Sequence, residues 1–98
     1  MAQVIETAQW LGYMAFHVYD SRRCRAGFPD LVLLRANRII YAELKTERGR
    51  LSPDQRVWLD ALTEAGCYCY LWRPSDVDEV IRILESDRPT ESYTCWRD

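Results

Sequence analysis

DLVLLRANRIIYAELK, residues 30–45, decides how this chain folds. Two runs rich in β-branched and aliphatic residues, 30–35 and 38–45, are separated by only Ala36 and Asn37. So short a link admits one arrangement, an antiparallel hairpin. Turning about Ala36–Asn37, the hairpin sets Leu34 opposite Ile39, Val32 opposite Tyr41 and Asp30 opposite Glu43. A four-residue loop from Arg35 to Arg38 keeps that register; only an odd-length loop breaks it.

The register places two acids side by side. Residues directly opposite on a ladder have Cβ atoms roughly 4.5–5.5 Å apart and project from the same face, and like charges there repel. The surrounding strand residues are apolar, so the pair is expected to be partly desolvated. That predicts a raised carboxylate pKa or a bound cation, and a hard divalent cation with oxygen ligands resolves the conflict. Lys45 stands two residues beyond Glu43 and shares its face of the strand. It is the only lysine among thirteen basic residues. Position 45 thus carries a compact ammonium where arginine is the rule elsewhere. Taken alone, Glu43 and Lys45 read as a surface ion pair of little worth; their conjunction with Asp30 points to chemistry.

Downstream, Ser52-Pro53-Asp54-Gln55 opens a helix. Ser52 is its N-cap, Pro53 its first residue, and Gln55 completes a capping box. Val57, Trp58, Ala61, Leu62 and Ala65 are expected as its apolar face, with Gly66 as the stop. Gln55 is expected to cap; capping alone, and capping together with presentation to a phosphate at the helix N-terminus, are equally open readings. Residues 67–72 (CYCYLW) read as a strand. A last helix opens at Pro74–Ser75, with Val77, Val80, Ile81 and Leu84 at i, i+3, i+4 and i+7. Upstream, residues 2–12 read as a short helix, 13–19 as a strand and 20–28 as a basic loop. The order α-β-β-β-α-β-α is an α/β fold with a small mixed sheet flanked by helices. Residues 1–85 are expected as one domain, and 86–98 as a polar tail.

Ninety-eight residues with 48% hydrophobic and 29% charged content suit one globular domain. No apolar run approaches a membrane span, and 1–10 has no secretory pattern. Cys24, Cys67, Cys69 and Cys95 form no C-x-x-C pair and are expected as thiols in a reducing compartment, a zinc site being the remote alternative. The net charge of −2 hides an uneven distribution: residues 21–56 hold nine basic groups against four acidic ones. Arg22, Arg23, Arg25, Arg48, Arg50 and Arg56 are candidates for an electropositive surface, and solvated loop arginines are the plainer reading.

Gly27-Phe28-Pro29-Asp30, then Glu43-Leu44-Lys45, then Gln55, resembles the PD-(D/E)xK nuclease pattern. More narrowly, GFPDLVLLR, AELKTERGRLSPDQ and the helix that follows resemble the VRR-NUC (virus-type replication-repair nuclease) family, from about Val4 to Leu84. The resemblance implies a restriction-endonuclease-like core and a metal-dependent DNA endonuclease. It implies Asp30, Glu43 and the Leu44 carbonyl as ligands of Mg²⁺ or Mn²⁺. Lys45 would position or deprotonate the attacking water, and Gln55 would hold the nucleophile or phosphate. Products would carry 5′-phosphate and 3′-hydroxyl ends. The further metal-site Glu that members carry on the first helix has one counterpart to offer here, Glu6. Small free-standing members are similar to Holliday-junction resolvases of phage or bacteria, which implies branched DNA, a homodimer and a cytoplasmic setting in a bacterial or phage-infected cell. Trp10, Trp58, Trp72, Trp96 and the tail are candidates for the dimer interface, ordinary core packing being the alternative for each.

Two other classes compete with an enzyme. A non-catalytic nucleic-acid-binding module on the same fold predicts salt-sensitive binding without turnover. An interaction protein whose carboxylates merely hold a cation predicts no DNA affinity at low salt.

Overall fold

The computed structural model describes residues 2–18, 27–36, 38–86 and 94–96. A five-stranded mixed sheet runs in the order β1 (Met14–His17), β2 (Leu31–Arg35), β3 (Arg38–Leu44), β4 (Tyr68–Trp72), β5 (Thr94–Cys95). The first two pairings are antiparallel and the last two parallel. The helices are α1 (Ala2–Trp10), α2 (Pro53–Glu64) and α3 (Val77–Glu85), the last preceded by a 3-10 turn at Pro74–Asp76. This is a restriction-endonuclease-like α/β architecture.

The hairpin has the expected register, with Leu34 opposite Ile39 and Val32 opposite Tyr41. Arg35 pairs with Arg38, so the turn is two residues long, and Ala36 takes the left-handed conformation (φ 53°) that such turns require. Both hairpin arginines are structural. Arg35 donates to the carbonyls of Leu11 and Ser86, and Arg38 to those of Ile83 and Ser86. They satisfy main-chain carbonyls just past α1 and at the end of α3, where cations are favoured.

Alternation along the strands splits the core in two. Leu31, Leu33, Ile40, Ala42, Leu44, Tyr70 and Trp72 face α1 and α3, meeting Ala8, Val80 and Leu84. On the opposite face, Cys69, Leu71 and half-buried Tyr41 and Leu62 pack with Leu51, Leu59 and Trp96. α2 lies on this second face, over β4, and is cut off by a Schellman motif at Gly66 (φ +89°). Cys67 N–H donates to Leu62 O at 2.9 Å, and Gly66 N–H to Thr63 O at 3.0 Å.

Three expectations need correction. The inward stripe of α2 is Gln55, Trp58, Leu59 and Leu62; Val57, Ala61 and Ala65 are exposed. The helix turns this way because Gln55 and Trp58 have partners on the sheet side. The tail is not wholly outside the fold, since Thr94–Cys95 extend the sheet beside β4 and Trp96 is buried, its Nε1 donating to Thr63 Oγ1 at 2.9 Å. Trp72 and Trp96 are core residues and Trp58 is half-buried, which leaves Trp10 as the one exposed tryptophan.

Candidate active site

Asp30 is delivered by a constrained approach. Gly27 has φ +88°, and a Cβ there would lie 2.5 Å from the Asp54 carbonyl carbon at the start of α2. Only glycine combines that conformation with that proximity. Phe28 packs edge-on against Tyr41 and Trp58, tying the segment to β3 and α2. Pro29 is buried, and the Asp30 carbonyl accepts from Val18 N–H at 2.8 Å. The β2–β3 ladder ends at Leu31 and Ala42, one pair short of Asp30 and Glu43. Beyond it, Asp30 Oδ2 accepts from Leu44 N–H at 3.1 Å, which keeps its carboxylate at the end of β3 beside Glu43.

Glu43 is the one buried charged residue among the described residues, 1% exposed. Its carboxyl is pushed up to about 8, first by burial, then by the Asp30 charge and a carboxyl–carboxyl hydrogen bond; Lys45 opposes this only partly. Oε2 accepts from Gln55 Nε2 at 2.9 Å and lies 3.6 Å from Lys45 Nζ. Oε1 is buried with no hydrogen-bond partner. When both acids are ionised, no hydrogen-bond donor among the described residues meets that oxygen.

Lys45 is four-fifths buried and held from behind. Its N–H donates to Trp72 O at 3.0 Å. The following turn is closed by Gly49 N–H donating to Thr46 Oγ1, and Arg73 Nη1 donates to the carbonyls of Thr46 and Gly49 at 2.8 and 2.6 Å. Glu47 accepts from Ser75 N–H and Oγ, pinning the same turn to the start of the 3-10 segment. Arg73 and Glu47 were not among the sequence candidates. Their role depends on β4 ending beside the turn after β3, which no local pattern signals. A shallow groove of about 160 Å³ flanks Lys45, lined by Gln3 and Val4 of α1, Leu44, Trp72, Arg73 and the start of α3.

Gln55 caps α2 as expected, and its side chain also bonds the buried acid of β3. Its Oε1 accepts from Ser52 N–H at 2.8 Å, while Gln55 N–H donates to Ser52 Oγ at 3.2 Å; its amide nitrogen holds Glu43. The remaining candidates sit differently. Arg48, Arg50 and Arg56 are exposed, flanking or opening α2, and Arg22, Arg23 and Arg25 lie outside the described residues. Glu6 is exposed on α1, and no group of three His, Cys, Asp or Glu side chains comes together among the described residues. Cys67 and Cys69 are free thiols.

Two carboxylates in contact, one with a buried oxygen lacking any partner, are a donor set suited to a hard divalent cation. The residues present therefore fit the metal that the nuclease pattern implies.

Comparison with known proteins bears on the family and the fold. The VRR-NUC domain model matches residues 2–75. The chain belongs to the VRR-NUC family of nucleases. A 49-residue stretch, 48% of the chain, is 43% identical to Fanconi-associated nuclease 1 of Danio rerio, and it spans only 5% of that protein. The structure resembles Hjc of Archaeoglobus fulgidus, a Holliday junction resolvase, with a TM-score of 0.56 at 22% identity over 74% of this chain and 64% of that one. At that identity the likeness concerns the fold. Among the described residues no helix is long and apolar enough to cross a membrane.

Proposed function

We propose that this protein is a Mg²⁺- or Mn²⁺-dependent endonuclease that hydrolyses phosphodiester bonds in branched DNA, such as a Holliday junction, and works as a homodimer. The observation that carries the reading is the orphaned Glu43 Oε1 beside the Asp30 carboxylate. Asp30 and Glu43, with the Leu44 carbonyl, would hold the ion. When bound, the ion supplies Lewis-acid stabilisation of phosphoryl charge and makes a water more acidic.

The protein's own groups do the rest. Gln55 fixes Glu43 from one side and Lys45 approaches it from another, so the carboxylate's position is set before substrate arrives. The Lys45 ammonium stands where it can orient the attacking water and offset charge accumulating on the scissile phosphate. Arg73 and Glu47 hold the turn behind Lys45. Exposed Arg48, Arg50 and Arg56 at the mouth of α2 supply phosphate contacts that steer and position the strand.

A labelled four-way junction incubated with Mn²⁺, and separately with Mg²⁺, tests the proposal. Cleavage by the wild type that is lost in Lys45→Ala and Glu43→Gln is expected. Absence of wild-type cleavage with either ion, or full cleavage by Lys45→Ala, overturns it. Salt-sensitive binding without turnover would instead establish a binding module.

A further inference from the structure

Lys45 borders the groove of about 160 Å³ as well as the carboxylates. The groove lies among α1, the start of α3 and the ends of β3 and β4, and its apolar lining comes chiefly from Val4, Leu44, Val77 and Val80. A hollow of about 40 Å³ that shares Val4, Val77 and Val80 continues it along α1 to Thr7 and Ile81. Trp72 forms part of the wall, and its indole Nε1 is buried with no hydrogen-bond partner. Gln3, Lys45 and Arg73 are the polar side chains on the lining, and among the described residues no carboxylate joins them.

We infer that this groove receives one unstacked nucleobase of the strand whose phosphate lies at Lys45. The inference rests on the nuclease reading above and names what the site recognises. The lining asks for a ligand of two parts. Apolar walls favour the faces of a ring, and the Gln3 amide offers a donor and an acceptor to a polar ring edge. Lys45 offers a cation to an anionic group joined to that ring. A nucleotide has this composition, and one residue serving both places keeps base and phosphate within a single nucleotide. The volume agrees. An apolar cavity of roughly 150 Å³ takes one benzene ring, whereas drug-sized ligands need roughly 300 Å³ or more. An acceptor on the base edge is the kind of group that relieves an unmet donor such as the Trp72 indole N–H. A second phosphate fits less well, because Arg73 is already committed to the carbonyls of Thr46 and Gly49. A base inside a duplex must leave its stack to enter, while a base at a branch point is already unpaired. The groove therefore selects strands that are open beside the scissile phosphate and disfavours continuous duplex.

Anisotropy measurements of four-way-junction binding, made without divalent ion, test this whether or not the protein cleaves DNA. Bases flanking the branch are removed one at a time, leaving an abasic sugar. With the wild type, loss of one particular base is expected to weaken binding roughly tenfold, the order of magnitude for one stacked base. Val4→Phe and Val77→Phe fill the groove from α1 and from α3. Both are expected to bind the intact junction weaker by the same factor and to be indifferent to that base. Gln3→Ala, at an exposed position safe for folding, is expected to lose part of the discrimination. Gln9→Ala, exposed on α1 and outside the groove, is expected to behave as the wild type. A wild type insensitive to every base, or base sensitivity unchanged in all three groove variants, overturns the inference. Single-turnover cleavage with Mn²⁺ separates it from the nuclease reading. Full cutting by both Phe variants leaves a nuclease and removes the base groove. Base-dependent binding, lost in the Phe variants of a protein that cuts nothing, keeps the groove and removes the nuclease.

Discussion

Gln55 joins the start of α2 to the buried acid of β3: one side-chain atom receives Ser52 N–H at 2.8 Å and the other donates to Glu43 Oε2 at 2.9 Å. A single amide thus serves as cap and as positioning group, and helix entry and site geometry are coupled. The two roles separate by substitution. Ser52→Ala removes a cap bond and is expected to cost about 1 kcal/mol of stability with cleavage largely retained. Gln55→Ala is expected to cost at least as much and to lower the cleavage rate by roughly 10²-fold, since a displaced carboxylate is a misplaced reacting group. Urea unfolding and single-turnover cleavage, measured on both variants, provide the check.

Glu43 makes the metal-free protein sensitive to alkali. Unfolded, its carboxyl titrates near the usual value of about 4.3; folded, it is pushed up to about 8. Between those values the folded state holds a proton that the unfolded state has released. This contribution to stability is full below the lower value and is lost as pH rises through about 8. Glu43→Gln is therefore expected to gain stability relative to wild type between pH 5 and pH 9, by a few kcal/mol at the upper end. Adding Mn²⁺ is expected to raise the wild-type melting temperature, increasingly toward pH 9, and to leave the variant nearly unmoved. Melting curves from pH 5 to 9, with and without Mn²⁺, measure both effects.

Gly27 is a small residue under two demands. Gly27→Ala adds a Cβ 2.5 Å from Asp54 backbone at a φ of +88°. A loss of roughly 1–3 kcal/mol is expected, together with weaker Mn²⁺ binding because Asp30 follows three residues later. Chemical denaturation and a metal titration of the variant test the pair of effects.

Arg73 acts at a distance from the carboxylates. Arg73→Lys keeps the charge but loses the planar, fixed Nη1 that donates to both Thr46 O and Gly49 O. The turn behind Lys45 loosens while Asp30 and Glu43 stay in place. Cleavage is expected to fall on the order of tenfold with Mn²⁺ affinity unchanged. Equal losses in rate and metal affinity would contradict a role confined to Lys45.

Much of this protein was legible in residues 30–55 by themselves. The two-residue link forced a hairpin, and the period of two along each strand then carried the acids to one place. Ser52, Pro53 and Gln55 announced a helix start because capping uses only neighbouring atoms. What tertiary structure decided was everything between elements distant in sequence. Which side of α2 turns inward depends on where Phe28 and Glu43 lie, so Leu59 is buried while Val57 is exposed. Arg73 reaches Thr46 across 27 residues. Thr94–Cys95 add a strand that a polar segment gives no pattern for. Local bonding is written in consecutive residues, whereas burial is a property of the assembled surface, and only the assembled sheet leaves Glu43 Oε1 without a partner.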